Sequence, residues 1–105
     1  MTSAPLSDQE LEMVRAVFRR HPEVAFATLF GSRAKGTHNS RSDVDLAVGG
    51  DVAPLGAESI AAELEELPLP YRFDVQSLSH IHNRPLLSHI ERVGLTIYSV
   101  EDATR

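Results

Sequence analysis

Asp43 and Asp45 stand two residues apart within SDVDLAV, and in an extended chain side chains at that spacing project from one face. Carboxylates held this close repel each other unless a cation lies between them. A hard divalent cation such as Mg²⁺ takes oxygen ligands, keeps several waters, and is typically held by one or two carboxylates together with a substrate's phosphates. The pair reads as a metal seat. A third acid, Asp74, lies within YRFDVQSL between Phe73 and Val75, where a charge in an apolar strand calls for a reason. If that strand lies beside the first, Asp43, Asp45 and Asp74 converge. Three carboxylates are enough to hold two Mg²⁺ ions, which can stabilise the attacking and leaving oxygens of an in-line phosphoryl displacement.

Upstream, Phe30-Gly31-Ser32 ends an apolar run and leads into Arg33-Ala34-Lys35-Gly36. Gly31 lets the backbone turn sharply and approach a ligand closely. Ser32, at the head of a short helix, offers free N–H groups and a hydroxyl to a phosphate. Structural roles compete with these: a turn glycine, a capping serine, and, for Asp74, a surface acid on an edge strand. Arg33, Lys35 and Arg41 could meet a triphosphate or a partner, but charged loop residues are more commonly just solvated. His21, His38, His80, His82 and His89 show no metal-ligand spacing. His80-x-His82 is expected at the surface, and zinc is not indicated.

The elements that must position these residues can be read from pattern. Ser7-Asp8-Gln9-Glu10 has the form of a capping box, and Leu11, Val14, Val17 and Phe18 follow at helical spacing, which predicts a helix over 7–20. His21-Pro22 stops it. VAFATLF, 24–30, reads as a strand buried on both faces. Residues 43–48 form a second strand, with Val44, Leu46 and Val48 opposite Asp43, Asp45 and Ala47. GGDVAPLG is expected to be loop. Ile60, Ala61, Leu64 and Leu67 mark a helix ended by Pro68 and Pro70, and 71–78 alternates as a third strand. Asn83 caps a further helix with Leu86, Leu87, Ile90 and Val93 as its buried stripe and Gly94 as its stop. LTIYSV closes the chain as a strand. The order α, β, short α, β, α, β, α, β is that of an α/β (α+β) domain.

Bulk composition narrows the classes. With 105 residues and 42% hydrophobic content the expectation is one domain, 1–105, with one core. Ten basic against 15 acidic residues give a net charge of -5 and no basic stripe for a long nucleic acid. There is no cysteine, hence no disulfide, thiolate metal site or thiol catalysis. The acidic start MTSAPLSDQELEM lacks the order of a secretion signal, and no apolar run approaches a membrane span; a cytoplasmic protein that engages no membrane is the expectation.

Gly31-Ser32, ten intervening residues, then Asp43-Val44-Asp45 resembles the GS-x10-D-x-D signature of the nucleotidyltransferase superfamily related to DNA polymerase beta. LFGSRAKG, SDVDLAV and YRFDVQSL together resemble the minimal nucleotidyltransferase (MNT) domains, MntA-type antitoxins often paired with a HEPN-domain toxin. The likeness runs over about 24–100. It implies a polymerase beta-like nucleotidyltransferase fold: a small mixed β-sheet with helices packed on one face. It also implies transfer of AMP from ATP to a hydroxyl with release of pyrophosphate. On the matching positions, Gly31 and Ser32 fall on the triphosphate-binding turn and Asp43 and Asp45 on the metal pair. Asp74 falls on the third carboxylate, which also binds metal and activates the acceptor. Mg²⁺, two ions, and ATP are the implied cofactor and substrate.

The implied partner is a HEPN ribonuclease toxin, silenced by adenylylation of a side-chain hydroxyl such as tyrosine. A hetero-oligomer with that partner is expected, a homodimer being the alternative. Two other readings stand beside it: a binding module that neutralises its partner by masking, and a subunit of an aminoglycoside-type nucleotidyltransferase.

Overall fold

In a computed structural model, described over residues 6–37 and 43–100, Ser7 caps helix α1 (Asp8–Arg19). Its hydroxyl accepts the Glu10 N–H at 3.2 Å while Glu10 Oε1 accepts the Ser7 N–H at 2.9 Å, so donors at the helix start are satisfied reciprocally. Strand β1 (Val24–Phe30) leads to a single helical turn, α2 (Ser32–Lys35), and then to β2 (Val44–Gly50). Helix α3 (Pro54–Glu65) precedes β3 (Phe73–Ser77), a 3₁₀ turn at Leu78–His80, α4 (Arg84–Val93) and β4 (Leu95–Ser99).

The strands form one sheet in the order β3-β2-β1-β4. β1 is antiparallel to both β2 and β4, whereas β2 and β3 are parallel. A strand flanked on both sides reads as a continuous apolar run, as VAFATLF does. Val44, Leu46 and Val48 point into the main core, which they share with Val14, Val17 and Phe18 of α1 and Ala57, Ile60 and Leu64 of α3. The helices expected on one face are α1 and α3. The opposite face carries a smaller cluster in which Phe30 and Ala47 meet Ile81 and Ile90, so α4 and the 3₁₀ turn cover only part of it. Asp45 emerges on that face, opposite Val44 and Leu46 along β2.

The stretch GGDVAPLG is not the loop its glycines suggest. β2 continues through Gly49 and Gly50, and α3 begins at Pro54, leaving 51–53 as the connection. Proline at the first helical position costs no hydrogen bond and its φ suits a helix. Gly49 is glycine because the Phe26 ring occupies the space a Cβ would need. The third strand is shorter than its alternation predicts, and Asn83 caps α4 as expected, its Oδ1 accepting the Leu86 N–H at 3.0 Å.

Candidate active site

Phe30 and Asp45 are Cα partners across β1 and β2, and Asp45 and Asp74 are Cα partners across β2 and β3. The register thus lays Phe30, Asp45 and Asp74 in one row over three strands. Beyond Phe30 the chain turns at Gly31, with φ 77° and ψ -156°, a region essentially reserved for glycine. A Cβ here would also collide with Asp45 Oδ2, so glycine is needed both for the turn and for the approach to the carboxylate. The Gly31 carbonyl accepts the Lys35 N–H at 3.1 Å. Ser32 is the first residue of α2 and Gly31 its cap, which sets aside the capping role for the serine. No described residue engages the Ser32 hydroxyl.

Asp43 is exposed immediately before β2, Asp45 is half-buried, and Asp74 is exposed on the edge strand. Burial raises the Asp45 carboxyl above the ordinary carboxylate range, and the charges of Asp74 and then Asp43 push it further in the same direction. The ion pairs among the described residues join Arg19 to Glu12, Arg20 to Glu63, and His21 to Glu23 and Glu63; none reaches these three acids. Asp74 receives a long hydrogen bond, 3.5 Å, from Gln76 Nε2.

Among the described residues no group of three or more His, Asp or Glu side chains is placed to hold a metal ion, so Asp43, Asp45 and Asp74 do not meet as the three-carboxylate cluster expected from the sequence. The donor set nonetheless fits a Mg²⁺ ion. Its members are hard carboxylate oxygens, no ion pair among the described residues engages them, and such an ion takes one or two carboxylates and completes its shell with water and phosphate.

Beside Asp74, a cleft of about 320 Å³ opens between β3, the 3₁₀ turn and α3, lined by Asp74, Gln76, His80, Glu58 and Pro54 among others. His80 and His82 are exposed, as expected. Arg33 is not solvated: it is 4% exposed, with its guanidinium carbon 4.4 Å above the Tyr71 ring, whose hydroxyl donates to Glu10 Oε2 at 2.8 Å. Lys35 is exposed. Arg41 and His38 lie outside the described residues. Sequence reasoning passed over His89, whose Nε2 accepts the Gly31 N–H at 3.0 Å. It is one of five histidines, 58 residues from the glycine it meets, and no spacing signal connects them.

The family model for polymerase beta nucleotidyltransferases matches residues 12–103. The chain belongs to that family. No curated protein matches it at a significant level. Solved structures show the same polymerase beta-like nucleotidyltransferase fold. A toxin–antitoxin structure with AMP-PNP matches with a TM-score of 0.72 at 20% identity, over 93% of this chain and 77% of that one. A structure of tri-AMPylated Shewanella oneidensis HEPN toxin in complex with MNT antitoxin gives 0.70 at 17%, over 94% and 77%. The MntA–HepT toxin–antitoxin gives 0.69 at 17%, over 92% and 76%. Gly31-Ser32 lies at the C-terminal end of β1 and Asp43-Val44-Asp45 at the N-terminal end of β2.

Proposed function

We propose that the domain is a Mg²⁺-dependent nucleotidyltransferase that moves AMP from ATP to a hydroxyl of a protein partner, and that this partner is a HEPN toxin which the modification silences. The observation that carries the reading is the row Asp45–Asp74 set against a glycine turn whose Cα adjoins the Asp45 carboxylate. The similar structures that hold AMP-PNP and an AMPylated HEPN toxin support the choice of nucleotide and of partner.

In this reading Gly31, whose own N–H is given to His89, lets the backbone approach the ligand, and the Ser32 N–H and hydroxyl at the head of α2 bind phosphate oxygens. Asp43, Asp45 and Asp74 would hold Mg²⁺. A cation bound there supplies charge neutralisation at the phosphoryl oxygens and polarises the phosphorus toward attack. Asp74 takes the proton of the acceptor hydroxyl as its oxygen forms a bond to the α-phosphorus, while the bond from that phosphorus to the bridging oxygen breaks and pyrophosphate leaves. The cleft beside Asp74 is where we place the acceptor side chain. With net charge -5 and no helix among the described residues long and apolar enough to cross a membrane, we assign the reaction to the cytoplasm.

The test is transfer of label from α-labelled ATP to the product of the neighbouring gene, with Mg²⁺, against an Asp43→Asn/Asp45→Asn control. Label on the partner that vanishes in the control is the expected result. A tight complex without label, while ATP binds, would replace transfer by masking.

A further inference from the structure

The turn that carries Gly31 and Ser32 is poorly equipped to hold its own shape. α2 has four residues, and a single helical turn fixes many dihedrals for few hydrogen bonds. Its cap is a glycine, the residue with the most backbone freedom to lose. The Gly31–Ser32 peptide plane is held locally, by the Lys35 N–H on the Gly31 carbonyl. The Phe30–Gly31 plane is held from elsewhere, by the bond from its N–H to His89 Nε2 at 3.0 Å. With both planes fixed, φ and ψ of Gly31 are set, and so is the aim of the N–H groups in the first turn of α2.

The imidazole is well placed for this task. Its ring stands edge-on to Phe30, with centroids 6.2 Å apart and planes at 80°. The next residue, Ile90, is buried against Phe30 and Ala47 in the smaller core cluster. α4 therefore delivers the ring from a packed position. As an acceptor, Nε2 leaves the ring proton on Nδ1.

We propose that His89 is a positioning residue for nucleotide binding: its Nε2, by fixing the Gly31 peptide, holds the phosphate-binding turn in register with Asp45. The inference rests on the nucleotidyltransferase reading. His89 does not touch phosphate in this scheme, because the nitrogen facing the turn is already engaged by Gly31. Without the acceptor, Gly31 samples other conformations and the turn loses its register with Asp45.

The experiment is calorimetric titration of Mg·ATP into the full chain as wild type, His89→Leu and His89→Gln, together with melting temperatures and hydrogen exchange at the Gly31 amide. Gln keeps a carbonyl acceptor on a side chain of similar reach. The expected result is ATP affinity about ten-fold weaker or more in His89→Leu, the loss associated with a misplaced hydrogen bond to a charged group. His89→Gln recovers most of the affinity, and Gly31 exchange accelerates in the Leu variant alone. Should His89→Leu not fold, His89→Ala takes its place. Equal affinity in the Leu and wild-type chains overturns the positioning role while leaving the nucleotide reading intact. So does a Gln variant as weak as Leu with an equally lowered melting temperature, which would make His89 a packing residue. A wild-type chain that binds no Mg·ATP overturns the reading and this inference with it.

Discussion

Asp45 concentrates the chemistry of the candidate site in one side chain. Burial first, then the charges of Asp74 and Asp43, raise its pKa, so without a cation the folded chain holds its proton more tightly than the unfolded chain does. Between the ordinary carboxylate pKa and the raised one, the folded state therefore binds more protons, and stability falls as pH rises through that window. Asp45→Asn removes the loss. Its melting temperature at neutral pH, without divalent cation, should equal or exceed that of wild type, the difference closing as pH drops below the ordinary carboxylate range. AMP transfer should fall on the order of 10²-fold or more. A variant that instead melts lower at pH 7 would make Asp45 a structural residue. Ser32 offers a complementary case, because no described residue engages its hydroxyl. Ser32→Ala should leave the melting temperature within about 2 °C of wild type, the change expected where no described partner of the hydroxyl is lost, and weaken ATP binding about five-fold or more; unchanged affinity by calorimetry would remove the serine from the phosphate site.

At the scale of elements, what was legible divides by the range of the interactions involved. The capping box of α1, the apolar run of β1 and the alternation of β2 are local signals, and each element forms on its pattern, with β2 running on to Gly50 beyond the predicted end. The row of Asp45 and Asp74 followed once β3 lay beside β2. What could not be read depends on residues far apart in sequence. Gly49 and Gly50 resemble a loop until Phe26 is seen lying over Gly49, and Arg33 resembles a solvated loop cation until Tyr71 is seen beneath it. That stack ties α2 to α1 through the Tyr71 hydroxyl on Glu10, and its two parts can be separated. Tyr71→Phe removes the hydroxyl and keeps the ring, which should cost about 1 kcal/mol. Tyr71→Leu also removes the face beneath Arg33 and should cost about 1–2 kcal/mol more. Denaturant midpoints of the two variants measure the difference; equal values would mean that the ring contributes nothing to holding α2.

For the whole molecule, the sheet sets Asp45 and Asp74 side by side, Asp43 stands just before β2, and the chain carries a net charge of -5. A nucleotide alone adds negative charge to that arrangement; a nucleotide with a divalent cation relieves it. Under the proposed function, binding would depend on the two arriving together, and this dependence should appear in the unfolding of the entire chain. The radius of gyration, 12.9 Å, matches about 13 Å for a compact chain of this length, so we expect one cooperative transition that reports the full linkage. Mg·ATP at about 100 times its dissociation constant stabilises the folded state by about 2.7 kcal/mol, which in a domain of this size raises the melting temperature by roughly 10–20 °C. ATP with a chelator should give almost none of that shift, and Asp43→Asn/Asp45→Asn should give none with either. A full shift in the presence of chelator would mean that the phosphates are held by the turn without a cation, and would move the carboxylates of β2 and β3 out of the nucleotide site.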